Sequence, residues 1–358
     1  GMTVTLLLVL FGALAGSLAV YRDSNWWTAV AGALVVALFV FGSYAAIRFG
    51  QVFASPVGPS VAFLMVAVGQ AGFDYAAERR SRKQIIRAFS QYLSPAMVER
   101  LAGDPTQLKL GGDTRTLSIL FCDVRGFTTI AERMKNDPQQ LTTLINRLLT
   151  PLSEEILACG GTIDKYIGDC VMAFWNAPLD DDRHAVNAVR ASLQMLDAMD
   201  RFNEELRLEL AARGEEPYGL RIGIGINTGD CVVGNMGSSS RFDYSALGDS
   251  VNLASRLEGE SKNVGLALLI GEETARQVAD VYCTIELDRI TVKGRTEPSP
   301  VFTVLRERPS PEVLAEHKRF LAAKYDGTIS TSDPLLDHLA HAIPALSPYY
   351  AMIRSRLP

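Results

Sequence analysis

Thr162-Ile-Asp-Lys-Tyr-Ile-Gly-Asp-Cys-Val-Met-Ala-Phe-Trp175 contains two apolar runs, Thr162–Tyr166 and Cys170–Trp175, parted by Ile167-Gly168-Asp169. Short runs rich in β-branched and aromatic residues, broken by a glycine turn, read as a β-hairpin. Upstream, Leu117–Cys122 is a further strand, and residues 138–158 carry a helical pattern. Downstream come a long helical stretch, His184–Arg213, and strands at Leu220–Ile226 and Cys231–Gly234. A helix at Val251–Lys262 follows, then strands at Leu266–Ile270, Tyr282–Leu287 and Val301–Leu305. Helices alternate with strands, yet the tight hairpin is antiparallel. The expected class is therefore α+β, a ferredoxin-like mixed sheet with flanking helices.

The chain has 358 residues and a net charge of −5, with charge distributed unevenly. Residues 1–77 hold only Arg22, Asp23, Arg48 and Asp74 as charged side chains. Three stretches there lack charge: Val4–Val20 (17 residues), Trp26–Ile47 (22) and Val52–Phe73 (22). A helix needs about 20 apolar residues to cross a bilayer, so an all-α segment of three membrane spans is expected. The cations of Arg79-Arg80-Ser81-Arg82-Lys83 follow the third stretch. By the positive-inside rule they mark the cytoplasmic side, which puts the N-terminus outside and the more charged remainder of the chain within. The expected location is the plasma (inner) membrane, multi-pass, with membrane lipid as a partner. Residues 78–112 read as a juxtamembrane signalling helix and linker, with a break near Ser94 ahead of Pro95. The acidic balance argues against a nucleic-acid partner. Five cysteines, an odd number without C-x-x-C spacing, signal neither a disulfide framework nor a zinc site.

Asp123 ends an apolar strand and enters Val124-Arg125-Gly126-Phe127-Thr128 ahead of a helix. That leaves the N–H groups of Gly126, Phe127 and Thr128 to hold phosphate oxygens. Asp169 lies in the hairpin turn. Carboxylates on adjacent strand tips can share hard cations such as Mg²⁺. Asn252 and Arg256 are four apart and share one helix face, where they could orient a ribose and neutralise a phosphate. Taken singly, each aspartate also reads as a turn-former, Asn252 as a cap and Lys293 as a hairpin cation.

Jointly, Phe121-Cys-Asp-Val-Arg-Gly-Phe-Thr, Lys165-Tyr-Ile-Gly-Asp169, Gly223-Ile-Gly-Ile-Asn-Thr-Gly229 and Asn252-x-x-x-Arg256 strongly resemble the class III nucleotidyl cyclase catalytic domain. The likeness covers about residues 113–306 and leaves 307–358 as a tail without a motif. It implies conversion of ATP to cyclic AMP and pyrophosphate in a homodimer, with two Mg²⁺ or Mn²⁺ ions per site. The resemblance assigns metal binding to Asp123, Val124 and Asp169. It assigns the purine to Lys165 and Ser245, the triphosphate to Lys293, the ribose to Asn252 and the transition-state phosphate to Arg256. One chain would supply the metal aspartates and the other the base-reading and transition-state residues.

Adenine offers an acceptor at N1 and a donor at N6. Lys165 only donates, which suits N1; Ser245 can accept or donate. Ser245 resembles the Thr-bearing bacterial adenylate cyclase subgroup, some members of which respond to bicarbonate. A guanylate cyclase and a catalytically inactive nucleotide-sensing dimerisation module are the alternatives. The three-span arrangement resembles that of CHASE-type sensor cyclases.

Overall fold

The computed structural model describes residues 26–50, 55–90, 98, 103, 112–237, 242–290 and 298–357. The chain divides into two compact units, Gly1–Arg87 and Ala88–Pro358. The first contains α1 (Trp26–Gly50) and α2 (Val57–Phe89), of 25 and 33 residues. Large apolar side chains stand exposed on both, among them Leu34, Leu38, Phe41 and Phe49, and Leu64, Met65, Val68 and Phe73.

The expectation of three membrane spans is not carried by this unit. Val4–Val20 lies outside the described residues, and among those described no helix is long and apolar enough to cross a membrane. In α2 the apolar half runs straight into Arg79, Arg80 and Lys83. The break foreseen near Ser94 also lies outside the described residues.

The second unit starts with β1 (Asp113–Arg125), α3 (Phe127–Arg133) and α4 (Pro138–Ala158). The hairpin β2 (Thr162–Ile167) and β3 (Cys170–Trp175) follows, then α5 (His184–Ala212) and β4 (Arg221–Gly237). Next come β5 (Phe242–Leu247), α6 (Asp249–Val264), β6 (Leu268–Gly271) and α7 (Glu272–Val278). Strands β7 (Cys283–Ile290) and β8 (Ser299–Leu305) complete the sheet. The tail folds into α8 (Pro311–Tyr325), α9 (Pro334–Ala342), a 3-10 turn at Pro344–Leu346 and α10 (Ser347–Arg356).

The strands form one mixed sheet in the order β2-β3-β1-β4-β6-β8-β7, with β5 hydrogen-bonded to β4. β1 is central and antiparallel to both neighbours, whereas β4 and β6 are parallel. The first four strands thus trace a β-α-β-β-α-β unit in the order β2-β3-β1-β4. β1 pairs with β4 without interruption from Asp113↔Val233 to Arg125↔Arg221. That ladder explains why β4 is one strand where the sequence suggests two. Asn227-Thr-Gly-Asp230 looks like a turn, but Ile119 to Thr116 supply it with rungs.

Apolar residues on one sheet face, including Leu120, Cys122 and Ile224, pack with Leu148 and Ile156 of α4 and Val189 and Met195 of α5. A second core joins Leu253 and Leu257 of α6 to Ile285, Leu287 and the tail residues Phe320, Leu336, Tyr349 and Tyr350. The tail is therefore part of the folded unit. Its clearest anchor is His317, buried with Nδ1 2.7 Å from the Tyr350 hydroxyl and Nε2 2.6 Å from the Glu286 carbonyl. All five cysteines are free thiols, Cys122, Cys159 and Cys231 being buried.

Candidate active site

β1 and β3 run antiparallel with Cys122 opposite Val171, and the hairpin closes at Ile167↔Cys170. One rung further, Asp123 and Asp169 meet at the sheet end, both half-buried. Their side chains hydrogen-bond each other, and the Val124 N–H donates to both. Burial pushes the Asp123 carboxyl above its usual range, and the Asp169 charge raises it further. Burial raises Asp169 in the same direction. Two adjoining carboxylates that resist ionisation lack positive charge. Oxygen-only donors of this kind suit Mg²⁺ or Mn²⁺, with substrate phosphates completing the shell. Among the described residues no cluster of three or more His, Cys, Asp or Glu is arranged to hold a metal ion, so the candidate rests on this pair.

Gly126 follows at φ +75° and opens α3, whose first helical bonds run from the Thr129 and Ile130 N–H groups to the Gly126 carbonyl. A left-handed backbone there suits glycine. Phe127 and Thr128 stand in the first turn, where N–H groups lack helical partners. With Gly126 they lie one to three residues beyond Arg125, on the turn that leaves the Asp123 end of β1.

Lys165 and Ser245, far apart in sequence, come together on one carboxylate. The Ser245 hydroxyl donates to Asp164 Oδ2 at 2.7 Å, and the Ala246 N–H approaches the same oxygen at 3.3 Å. The Lys165 ammonium lies 3.3 Å from Asp164 Oδ1, which has no other partner. Asp164 and Ser245 are only 3% and 5% exposed, while Lys165 reaches solvent. The cause is a β-bulge: the β2–β3 register slips between Ile163 and Lys165, leaving Asp164 as the extra residue. A bulge re-aims one side chain. Asp164 was not singled out from sequence because strand alternation does not reveal such a slip.

Asn252 and Arg256 share the outer face of α6, exposed and half-buried respectively; Val251, Leu253, Ala254 and Leu257 face inward. Neither side chain makes a hydrogen bond or ion pair among the described residues. Glu258, two positions after Arg256, was also missed. It points toward the aspartate pair, and burial, then the Asp123 charge, pushes it up to about 7. Beside it Arg125 donates to Ser261 Oγ at 2.8 Å and to the Leu266 carbonyl. Helical period alone places Glu258 with Arg125 and Gly223 only once α6 is known to cross β4. Lys293 lies outside the described residues.

A mixed sheet with paired aspartates at one strand end and an Asn/Arg helix face defines a nucleotidyl cyclase catalytic domain. The chain belongs to that family: its adenylate and guanylate cyclase catalytic domain matches residues 112–305. An adenylate cyclase of Anabaena cylindrica is 33% identical over 62% of this chain and 43% of that protein. Adenylate cyclase 1 of Rhizobium meliloti is 35% identical over 53% of this chain and 27% of that protein. The chain thus spans less than half the length of these relatives. A solved structure of a bacterial light-regulated adenylyl cyclase shares the fold, with a TM-score of 0.51 and 24% identity over 72% of this chain and 68% of that one.

Proposed function

We propose that the chain is an adenylate cyclase that forms 3′,5′-cyclic AMP and pyrophosphate from ATP at sites shared by two copies. The observation that carries this reading is the gathering of Lys165 and Ser245 on one carboxylate, in a chain that also carries Asp123 and Asp169 together at a sheet end. Lys165 donates to N1 of the base and Ser245 faces its 6-amino group. Asp123 and Asp169, with Val124 beside them, hold Mg²⁺ or Mn²⁺, which when bound lowers the pKa of the ribose 3′-hydroxyl and neutralises the leaving oxygens. The first turn of α3, Gly126 to Thr128, and Lys293 take the triphosphate. Asn252 orients the ribose so that its 3′-oxygen lies in line with the α-phosphorus. Arg256 balances the charge that gathers on the phosphoryl oxygens.

The two-chain site is supported by Asn252 and Arg256, which lie on the outer face of α6 with no hydrogen bond or ion pair among the described residues. The experiment mixes Asp123→Ala chains with Arg256→Ala chains. Each alone is expected to be inactive. Random pairing restores one intact site in half the dimers, about a quarter of native activity. A mixture as inactive as its components overturns the shared site, and a native protein that cyclises GTP in preference to ATP overturns the substrate.

We also propose attachment to the inner membrane through the first unit, with the catalytic unit on the cytoplasmic side and the N-terminus outside. Support comes from the exposed Leu38, Phe41, Leu64 and Phe73 and from the basic run that ends at Lys83. Release of the intact chain from membranes by alkaline carbonate would sink this reading.

A further inference from the structure

We propose that Asp164 sets the purine selectivity of the site by committing the Ser245 hydroxyl as a hydrogen-bond acceptor toward the base. The inference rests on the reading of Lys165 and Ser245 as base-contacting residues. A serine has one proton and two lone pairs, so its polarity toward a ligand depends on where the proton goes. Here the proton is spent. Ser245 Oγ lies 2.7 Å from Asp164 Oδ2, and both side chains are almost wholly buried. An ionised carboxylate only accepts. Three donors converge on this one: the Ser245 hydroxyl, the Ala246 N–H and the Lys165 ammonium. Burial raises the Asp164 carboxyl above its usual range, and the Ser245 hydroxyl, the Lys165 ammonium and the Ala246 N–H each act against that rise. The lone pairs of Ser245 Oγ are then what a bound base meets.

The same carboxylate orients the neighbouring cation. One N–H of the Lys165 ammonium is drawn toward Asp164 Oδ1, and the remaining donors face outward. Asp164 thus imposes a fixed pattern, donor at Lys165 and acceptor at Ser245. Adenine presents the complement, with N1 accepting and N6 donating. Guanine presents the reverse at both positions, N1–H against an ammonium and O6 against a lone pair. Each mismatch leaves a desolvated polar group unpaired, which is how hydrogen-bonding sites reject near-isosteres. Ser245 is ambiguous by itself; the bulge that turns Asp164 inward removes the ambiguity. Asp164 is a positioning residue, since it acts through its two neighbours.

The experiment compares kcat/KM for ATP and for GTP in the native chain, Asp164→Asn, Ser245→Ala and the double variant, with thermal unfolding of each. An asparagine amide can donate to Ser245 Oγ and release the hydroxyl proton toward O6. Asp164→Asn is expected to lower the ATP/GTP ratio about tenfold, as loss of one oriented hydrogen bond would. Ser245→Ala is expected to lower ATP turnover while sparing GTP, and adding Asp164→Asn to it should move the ratio little further. A folded Asp164→Asn protein with its ratio within twofold of native overturns the proposal. So does a Ser245→Ala protein in which ATP and GTP fall in parallel, which decides the matter if Asp164→Asn fails to fold. A native chain that prefers GTP sinks the adenylate cyclase reading and this inference together. Preference for ATP with an unmoved ratio sinks the role of Asp164 alone.

Discussion

Gly225 lies where α6 crosses β4, and a methyl group there has nowhere to go. A Cβ at this position would stand 2.8 Å from the Leu257 carbonyl carbon, and closer still to Glu258 N and Ala254 O. All three are backbone atoms of α6, so no side-chain rotation relieves the clash. Ordinary contact starts near 3.4 Å, so the helix must retreat by at least about 0.6 Å at Leu257 and by more at its neighbours. Overpacking of this kind costs about 1–3 kcal/mol of stability. The functional cost follows from what the helix carries. Asn252 and Arg256 ride on α6, and misplacement by about 1 Å can cost on the order of a hundredfold in rate. Gly225→Ala is therefore expected to fold with a lowered Tm and to lose about ten- to a hundredfold in kcat. Gly259→Ala is the control: it lies on the same helix with nothing within 4 Å of its added methyl. It should keep native turnover and gain up to about 1 kcal/mol from helix propensity. The assay is cyclic AMP formation at saturating ATP, with thermal unfolding alongside. A Gly225→Ala enzyme within twofold of native kcat would refute the reasoning.

Asp123→Asn and Asp169→Asn should each reduce turnover by about a hundredfold or more if they hold the catalytic cations. Because burial raises both carboxyls, and the Asp169 charge raises Asp123 further, each change should also raise the Tm of the metal-free protein in chelator. A falling Tm would contradict the charge argument. Glu258, pushed up to about 7 from 4.5, keeps its proton in the fold at pH values where the unfolded chain has lost it. Metal-free stability should then decline as pH rises from about 4.5 to about 7, by about 1–2 kcal/mol after allowance for solvent screening. Glu258→Gln should flatten that slope in urea titrations, and an unchanged slope would place the titration elsewhere. Phe320 is fully buried, with its ring 5.5 Å from that of Tyr350 and 6.2 Å from that of Tyr349. Phe320→Ala should cost about 3–5 kcal/mol, and a loss below about 1 kcal/mol by chemical denaturation would show that the tail is not part of the cooperative unit.

Local rules made much of the catalytic unit readable. The hairpin at Ile167–Asp169 follows from two apolar runs and a glycine turn, and helical period puts Asn252 and Arg256 on one face. Asp123 and Asp169 are each ordinary turn residues until the β1–β3 register brings them together, which no local pattern specifies. Asp164 escaped because a bulge breaks the alternation that would have marked it as inward. The single long β4 reads as two strands because Asn227 to Asp230 has turn composition, and only the uninterrupted β1 ladder overrides it. The tail helices carry no motif, and their buried apolar residues close the second core. The apolar first unit was the most legible in composition, yet the described helices do not amount to the three spans that composition suggests.

The C-terminal helices bear on how the molecule can be divided. The family match stops at residue 305, but Phe320, Leu336 and Tyr350 close a core shared with α6, and Met352 rests on Gly265 at that helix's C-terminal end. A recombinant piece trimmed to the family boundary would bare the underside of the very helix that presents Asn252 and Arg256. Loss of activity in such a piece would then report on missing support rather than on the chemistry, and biochemical dissection should keep the chain through Leu357.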